Sequence, residues 1–281
     1  MFRKTLALIL RCVALLSSLD AGQSDFITYE WLTGKSGDGE AIAHIPHWRR
    51  LFNSMKVRGF LECGCGYYTG YFLEHADKVI SIEYLTPGYG GHWYKICLPL
   101  FKDRSNWSPM TYNENFRSNS FNNACAYQCT MHRDYALIDP TYLRELDNHF
   151  KMQISKANLG SYNIDVAFVN PSLYIRGDLV NVLLANEIPV IVAHDTVSDE
   201  GNEQQENLYG WNKVVTPSTY TKIRIPFGSQ TTFWISNRLP DVISSIMEYR
   251  EMIVLLREIG IDVGYDELKR LADMPQNREK K

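Results

Sequence analysis

Apolar positions in the chain alternate between two spacings. From Ile45 to Met55 they fall at helical intervals, with His47, Trp48, Leu51 and Phe52 on one side and a basic Arg49-Arg50 pair on the other. A short helix is expected there. Val57–Glu62 then reads as a strand and runs directly into Cys63-Gly64-Cys65-Gly66-Tyr67-Tyr68-Thr69-Gly70. The sequence Tyr71-Phe72-Leu73 through His75-Ala76 continues as a helix, and Lys78–Glu83 is a second strand. Strand, glycine turn, helix and strand make a crossover that sets two parallel strands side by side.

Further on, Ile164–Val169 and Pro189–Ala193 are near-continuous apolar runs, the pattern of central parallel strands covered on both faces, with a helix over Asp178–Asn186 between them. Tyr220–Ile225 and Thr231–Ile235, joined by Pro226-Phe227-Gly228-Ser229, predict an antiparallel hairpin at the sheet edge. A helix is expected over Asp139–Ala157, with Pro140 in its first turn. Another is expected in the tail, Asp241–Ala272, packing through Ile246, Ile253, Leu256 and Ile259. The stretch of about 85–135, rich in Tyr, Asn, Ser, Pro and Gly, reads as an elaborate loop or a small inserted substructure. Together these elements predict an α/β fold: a Rossmann-like, doubly wound, mostly parallel sheet with an antiparallel late strand and helices on both faces.

The first 22 residues stand apart. Arg3 and Lys4 precede an apolar run that Arg11 interrupts, and Leu19-Asp20-Ala21 resembles a cleavage site. The segment reads as a secretory signal peptide, the alternative being an amphipathic helix of a cytoplasmic protein. The expected organisation is therefore a signal peptide over 1–22, a helical extension over 23–56, the sheet domain over 57–240 and a helical tail over 241–281. No later stretch is long and apolar enough to cross a bilayer as a helix, so the mature chain is expected to lack a transmembrane span.

Composition narrows the function classes. With 29 basic and 32 acidic residues the net charge is -3, which gives no general attraction to phosphate backbones, and no nucleic-acid partner is expected. Six cysteines in 281 residues are too few for a disulfide-built miniprotein. Cys63 and Cys65 alternate with glycines of the turn and read as small buried thiols. Cys125 and Cys129, with His132 nearby, either begin a zinc site, pair with each other, or pair with Cys97. Asn106-Trp107-Ser108 fits the glycosylation pattern, which has meaning only in a eukaryotic secretory route. Seventeen Tyr, twelve Phe and six Trp point to extensive aromatic packing.

The chemistry centres on the glycine turn. An acidic strand end followed by Gly-x-Gly lets backbone bend sharply and come close to a ligand. Glu83, 21 positions after Glu62 and at the end of the second strand, is placed to accept hydrogen bonds from ribose hydroxyls. Four segments, Glu62–Gly66, Val79–Glu83, Asp165–Asn170 and Ile191–Thr196, resemble successive motifs of class I S-adenosylmethionine-dependent methyltransferases, nearest to the small-molecule O-methyltransferase type. The resemblance spans roughly Arg58–Asn237. It implies a seven-stranded sheet with the last strand antiparallel, and S-adenosyl-L-methionine lying across the carboxyl ends of the first strands. Glu62, Gly64 and Gly66 would border its methionine portion, Glu83 would hold its ribose, and Asn170 would stand where relatives often carry an acid.

The acceptor implied is a hydroxyl on a small molecule or a glycan. Such a transfer is an in-line displacement that needs alignment and a proton acceptor. His194, following a strand end, is the leading candidate base, its structural reading being a histidine that ties down the loop beyond Asp195. His92, His132 and His149 are further candidates, and Tyr67 and Tyr68 either line the donor pocket or simply pack. Asn170 with Asp195-Thr196 is a poor magnesium set, so no metal is expected. Asn170-Pro171-Ser172-Leu173 resembles imperfectly a motif of amino-group methyltransferases. The competing function class is a catalytically silent scaffold of the same fold in an extracytoplasmic compartment.

Overall fold

The computed structural model describes residues 44–66, 68–85, 92–113, 163–170, 176–196, 209–226, 230–261 and 263–275. The signal segment 1–22, Tyr67, His132, His149, Cys125, Cys129, the Asp139–Ala157 helix and Pro171-Ser172 lie outside the described residues.

Helix α1 (Ile45–Ser54) begins with Pro46 in its first turn, where a missing N–H costs nothing, and buries Ile45, Trp48 and Leu51. It leads into β1 (Val57–Cys63), the glycine turn, α2 (Thr69–His75) and β2 (Ala76–Leu85). Next come α3 (His92–Phe101) and β3 (Trp107–Asn113), then β4 (Ile164–Val169), α4 (Arg176–Ala185) and β5 (Val190–His194). A 3-10 turn at Trp211–Lys213 precedes β6 (Tyr220–Ile225) and β7 (Thr231–Ser236), and α5 (Pro240–Glu258) and α6 (Tyr265–Ala272) follow.

The seven strands form one sheet in the order β3-β2-β1-β4-β5-β7-β6. All pairings from β3 to β5 are parallel, whereas β7 runs antiparallel to both β5 and β6. This is the doubly wound sheet with an antiparallel late strand that the sequence patterns predict. Parallel strands buried on both faces explain why β4 and β5 are buried at every position.

Two cores flank the sheet. On one face Phe60, Val79, Val166, Phe168, Val190, Val192, Phe233 and Ile235 meet α1, α2, α5 and α6. Trp48 anchors this side, its ring edge-on to Phe60, Phe72 and Phe168 at centroid distances of 5.6, 4.8 and 4.9 Å. On the other face Leu61, Ile80, Ala167, Ile191 and Trp234 meet Leu179, Val180 and Leu183 of α4. Alternation then fixes a decisive point. Glu62, Ser81, Glu83, His194 and Thr231 all have the parity of the first face, so their side chains share the α1/α2/α5 side of the sheet.

Three expectations are corrected. Of the stretch read as an elaborate loop or a small inserted substructure, residues 92–113 contribute α3 and the edge strand β3, which pairs with β2 from Val79↔Trp107 to Leu85↔Asn113. The basic Arg49-Arg50 face is split: Arg49 pairs with Asp273 at the surface, but Arg50 is 1% exposed. Its guanidinium donates to Glu248 Oε2 (3.0 Å), Ser245 O (3.1 Å) and Met274 O (2.7 Å), locking α1 to α5 and the end of α6. The tail is two helices, broken where Gly260 adopts φ +79°, a conformation costly for other residues. Of its predicted packing residues Ile246 and Ile253 are buried, Leu256 is partly buried, and Ile259 is 62% exposed.

Candidate active site

The glycine turn is held from below by a chain of hydrogen bonds. Trp107 Nε1–H donates to Ser81 Oγ (2.9 Å), and Ser81 donates to Glu62 Oε2 (2.7 Å). From the other side the Gly66 N–H donates to Thr69 Oγ1 (3.0 Å), whose hydroxyl donates to the same carboxyl group at 2.9 Å from each oxygen. One buried acid thus ties together β3, β2, β1, the turn and α2. Donors in series polarise one another, which strengthens such a chain. Burial raises the Glu62 pKa to about 8 despite the two hydroxyl donors, with Glu83 adding a smaller push in the same direction. Glu62 is therefore mostly protonated at neutral pH, and being 1% exposed it acts as a brace beneath the turn.

Above the brace the backbone bends. Gly64 has φ +96° and donates its N–H to Ile82 O (2.8 Å), a geometry that favours glycine. The Cys65 N–H donates to Glu83 Oε2 at 2.8 Å, so the second predicted acid reaches the turn directly. At Gly66 an added Cβ would meet no atom of the described residues within 4 Å. Open space above a glycine beside a carboxylate is a cradle into which a ligand's polar backbone-facing edge fits. Cys63, Cys65 and Cys97 are buried free thiols, and burial pushes all three above the usual thiol range, so they are inert packing groups. Asn170, just past β4, donates its N–H to Cys63 O (3.0 Å), which draws the β4 end against the turn.

The other half of the site lies at the end of β5. His194 is 2% exposed, and its Nδ1 meets Thr231 Oγ1 at 2.9 Å across the β5–β7 pair. The same hydroxyl lies 3.0 Å from Nδ1 of His44, the residue that opens α1, and the two imidazoles lie at a centroid distance of 3.9 Å with their planes tilted by 31°. Phe168 and Tyr68 close around His194 at 4.7 and 5.4 Å. Tyr68 thus packs rather than standing apart. His47, one turn along α1, meets the Tyr249 hydroxyl at 3.0 Å. Burial lowers all three histidine pKa values, that of His44 to about 4 with the Asp195 carboxylate partly offsetting the drop, so the rings are neutral at pH 7.

Asp195 closes the strand at φ +56°, a conformation that Asp tolerates better than most residues. It is pinned by Arg176 (2.9 Å), whose guanidinium lies 4.0 Å from the Tyr209 ring, and its carbonyl accepts from Trp211 Nε1 (2.8 Å). Among the described residues no group of three His, Cys, Asp or Glu is arranged to hold a metal ion.

Sequence reasoning singled out Gly64, Gly66, Glu62, Glu83 and Asn170, which the structure gathers around one turn, and His194, which it places at the next strand ends. His44, Thr231, Ser81 and Thr69 were missed. The only sequence signal for His44 is its position two residues before Pro46, where a helix start is expected. Thr231 becomes visible only once the β5–β7 register is known.

Neither a family model nor a curated protein matches this sequence. Three solved structures illustrate the likeness of fold. An O-methyltransferase from Bacillus cereus, in complex with SAH, is 10% identical over 79% of this chain and 96% of its own, with a TM-score of 0.42. An SAH-bound Podospora anserina methyltransferase is 10% identical over 84% and 97%, with a TM-score of 0.41. The Bradyrhizobium japonicum N-methyltransferase NodS, also with SAH, is 12% identical over 77% and 94%, with a TM-score of 0.40. Likenesses this distant carry no argument about chemistry. The strand order, the lone antiparallel strand and the glycine turn at the β1 end assign the architecture: a Rossmann-like, mostly parallel seven-stranded sheet, the fold that the resemblance to class I S-adenosylmethionine-dependent methyltransferases implies.

Proposed function

We propose that this protein is an S-adenosylmethionine-dependent methyltransferase acting on a hydroxyl of a small molecule or glycan. The observation that carries the reading is the open cradle at Gly66 beside Glu83, at the carboxyl ends of β1 and β2, where ligands of open α/β sheets bind. The Glu83 carboxylate, a group with roughly four acceptor positions, accepts from the Cys65 N–H at that end. Gly64 and Gly66 let the ligand approach the backbone, Glu83 receives ribose hydroxyls, and Asn170 borders the same end. The bound cofactor supplies a methyl group on a sulfonium, ready for in-line displacement. His194, neutral and held by Thr231, accepts the proton of the acceptor hydroxyl.

Calorimetric titration with S-adenosylmethionine tests this. Micromolar binding that Glu83→Ala weakens at least tenfold supports it, and no heat above buffer for the wild type overturns it. One observation favours a second reading: Glu83 already reaches the turn through Cys65, as it would in a silent scaffold whose cleft is closed by its own side chains. Residues 1–22, read as an export signal, would place either form outside the cytoplasm. A mature protein from its native host that starts near Gly22 would support that, and one retaining Met1 or Phe2 would refute it.

A further inference from the structure

Three facts about the end of β5 have no role in binding the cofactor. A single hydroxyl, Thr231 Oγ1, stands within hydrogen-bond distance of Nδ1 on both His194 (2.9 Å) and His44 (3.0 Å). His194 Nε2 is buried and, among the described residues, has no hydrogen-bond partner. Asp195, fixed by Arg176, exerts its attraction on His44.

A threonine hydroxyl carries one proton, so it cannot donate to both rings. Two neutral imidazoles sharing it must include at least one with a proton on Nδ1 and hence a bare Nε2. Buried N–H groups without acceptors are rarer in proteins than acceptors left partly unsatisfied. The ring whose Nε2 is buried and unpartnered is therefore the one that keeps that nitrogen bare. His194 then donates Nδ1–H to Thr231, Thr231 donates to His44 Nδ1, and His44 carries its own proton on Nε2.

We propose that Thr231 sets His194 and His44 in opposite tautomers, so that His194 Nε2 is a standing proton acceptor and His44 the residue on which the proton comes to rest. In this relay the acceptor's O–H bond breaks as an N–H bond forms at His194 Nε2, and the electron pair stays on the acceptor oxygen. The Nδ1 proton of His194 passes to Thr231, and the hydroxyl proton of Thr231 passes to His44 Nδ1. His194 ends neutral and His44 ends as an imidazolium near Asp195, so the charge leaves the deeper of the two rings for the one under a carboxylate's influence. Thr231 and His44 are positioning residues that act through His194. The use of the relay toward a hydroxyl acceptor rests on the methyl-transfer reading, whereas the tautomer arrangement does not.

Long-range nitrogen–proton NMR of the full 15N-labelled chain at pH 7, without cofactor, tests it, with His194→Gln and His44→Gln used to assign the signals. The expected result is a bare Nε2 on His194 and a protonated Nε2 on His44. Thr231→Val should switch His194 to the Nε2-protonated form, and Thr231→Ser should restore the wild-type pattern. A protonated Nε2 on His194 in the wild type, protons on Nδ1 of both rings, or a folded Thr231→Val spectrum identical to wild type would each overturn the proposal. If Thr231→Val does not fold, the wild-type and Thr231→Ser tautomers decide. A failure to bind S-adenosylmethionine leaves this measurement unchanged, so the two readings fail separately.

Discussion

Trp107, on the edge strand, and Glu62, beneath the glycine turn two strands away, are joined through a single hydroxyl, that of Ser81, at 2.9 and 2.7 Å. The edge of the sheet thereby braces the glycine turn.

A pH dependence follows from the protonated acid in that brace. The native pKa of Glu62, about 8, lies above its unfolded value of 4.5, so between these values the native state holds more protons than the unfolded one. Its contribution to stability is complete below pH 4.5 and is lost as pH rises through 8. Glu62→Gln, which keeps acceptor and donor capacity without ionising, should remove this loss. Urea unfolding at pH 6 and pH 9 should show a smaller difference in the variant than in the wild type, by roughly 1–3 kcal/mol. An equal pH dependence in both would contradict the assignment.

The buried histidines act in the opposite direction. His44, lowered from 6.5 to about 4, costs stability as pH falls through that window, because the unfolded state binds the proton more readily. His44→Gln should therefore reduce the acid sensitivity of unfolding between pH 6.5 and 4. The check is the midpoint of urea denaturation across that range.

Gly177 tests the scaffold on the other face. A Cβ there would stand 2.0 Å from the carbonyl oxygen of Gly210, and neither backbone can yield easily, since the Gly177 N–H already donates to Tyr209 O at 2.8 Å. Gly177→Ala should destabilise by about 2 kcal/mol or more. It should also loosen the grip of Trp211 on Asp195, readable as a change in tryptophan fluorescence before global unfolding.

Arg50 reports on the docking of α1. Removing a buried guanidinium that serves Glu248 and two carbonyls takes one donor from each of the three, and Arg50→Ala should cost about 3–5 kcal/mol in denaturant unfolding. Arg50→Lys should recover only part of this, because one ammonium cannot match the forked geometry.

The sequence makes the centre of the sheet legible and its margins much less so. Strands β4 and β5 are buried at every position, so their apolar runs are near-continuous, and the glycine spacing marks the turn after β1. Among the described strands β3 has one neighbour only, and it carries Trp, Ser, Pro, Met, Thr, Tyr and Asn, among them a proline that an edge strand tolerates but that argues against a strand on sequence grounds. Arg50 reads as a surface charge because its partners lie 195 or more positions away. His44 and Thr231, 187 residues apart, meet only through the packing of α1 over β7. The residues gathered at the glycine turn are local in sequence, whereas those gathered around the end of β5 are non-local, and of these only His194 and Tyr68 stand out in the sequence.

The central claim, that the turn between β1 and α2 is a nucleoside cradle, is tested most directly by amide NMR during titration with S-adenosylhomocysteine. Shifts concentrated at Gly64, Cys65, Gly66 and Glu83, and abolished by Glu83→Ala, are the predicted result. An unchanged spectrum, or shifts confined to residues away from that turn, would contradict it.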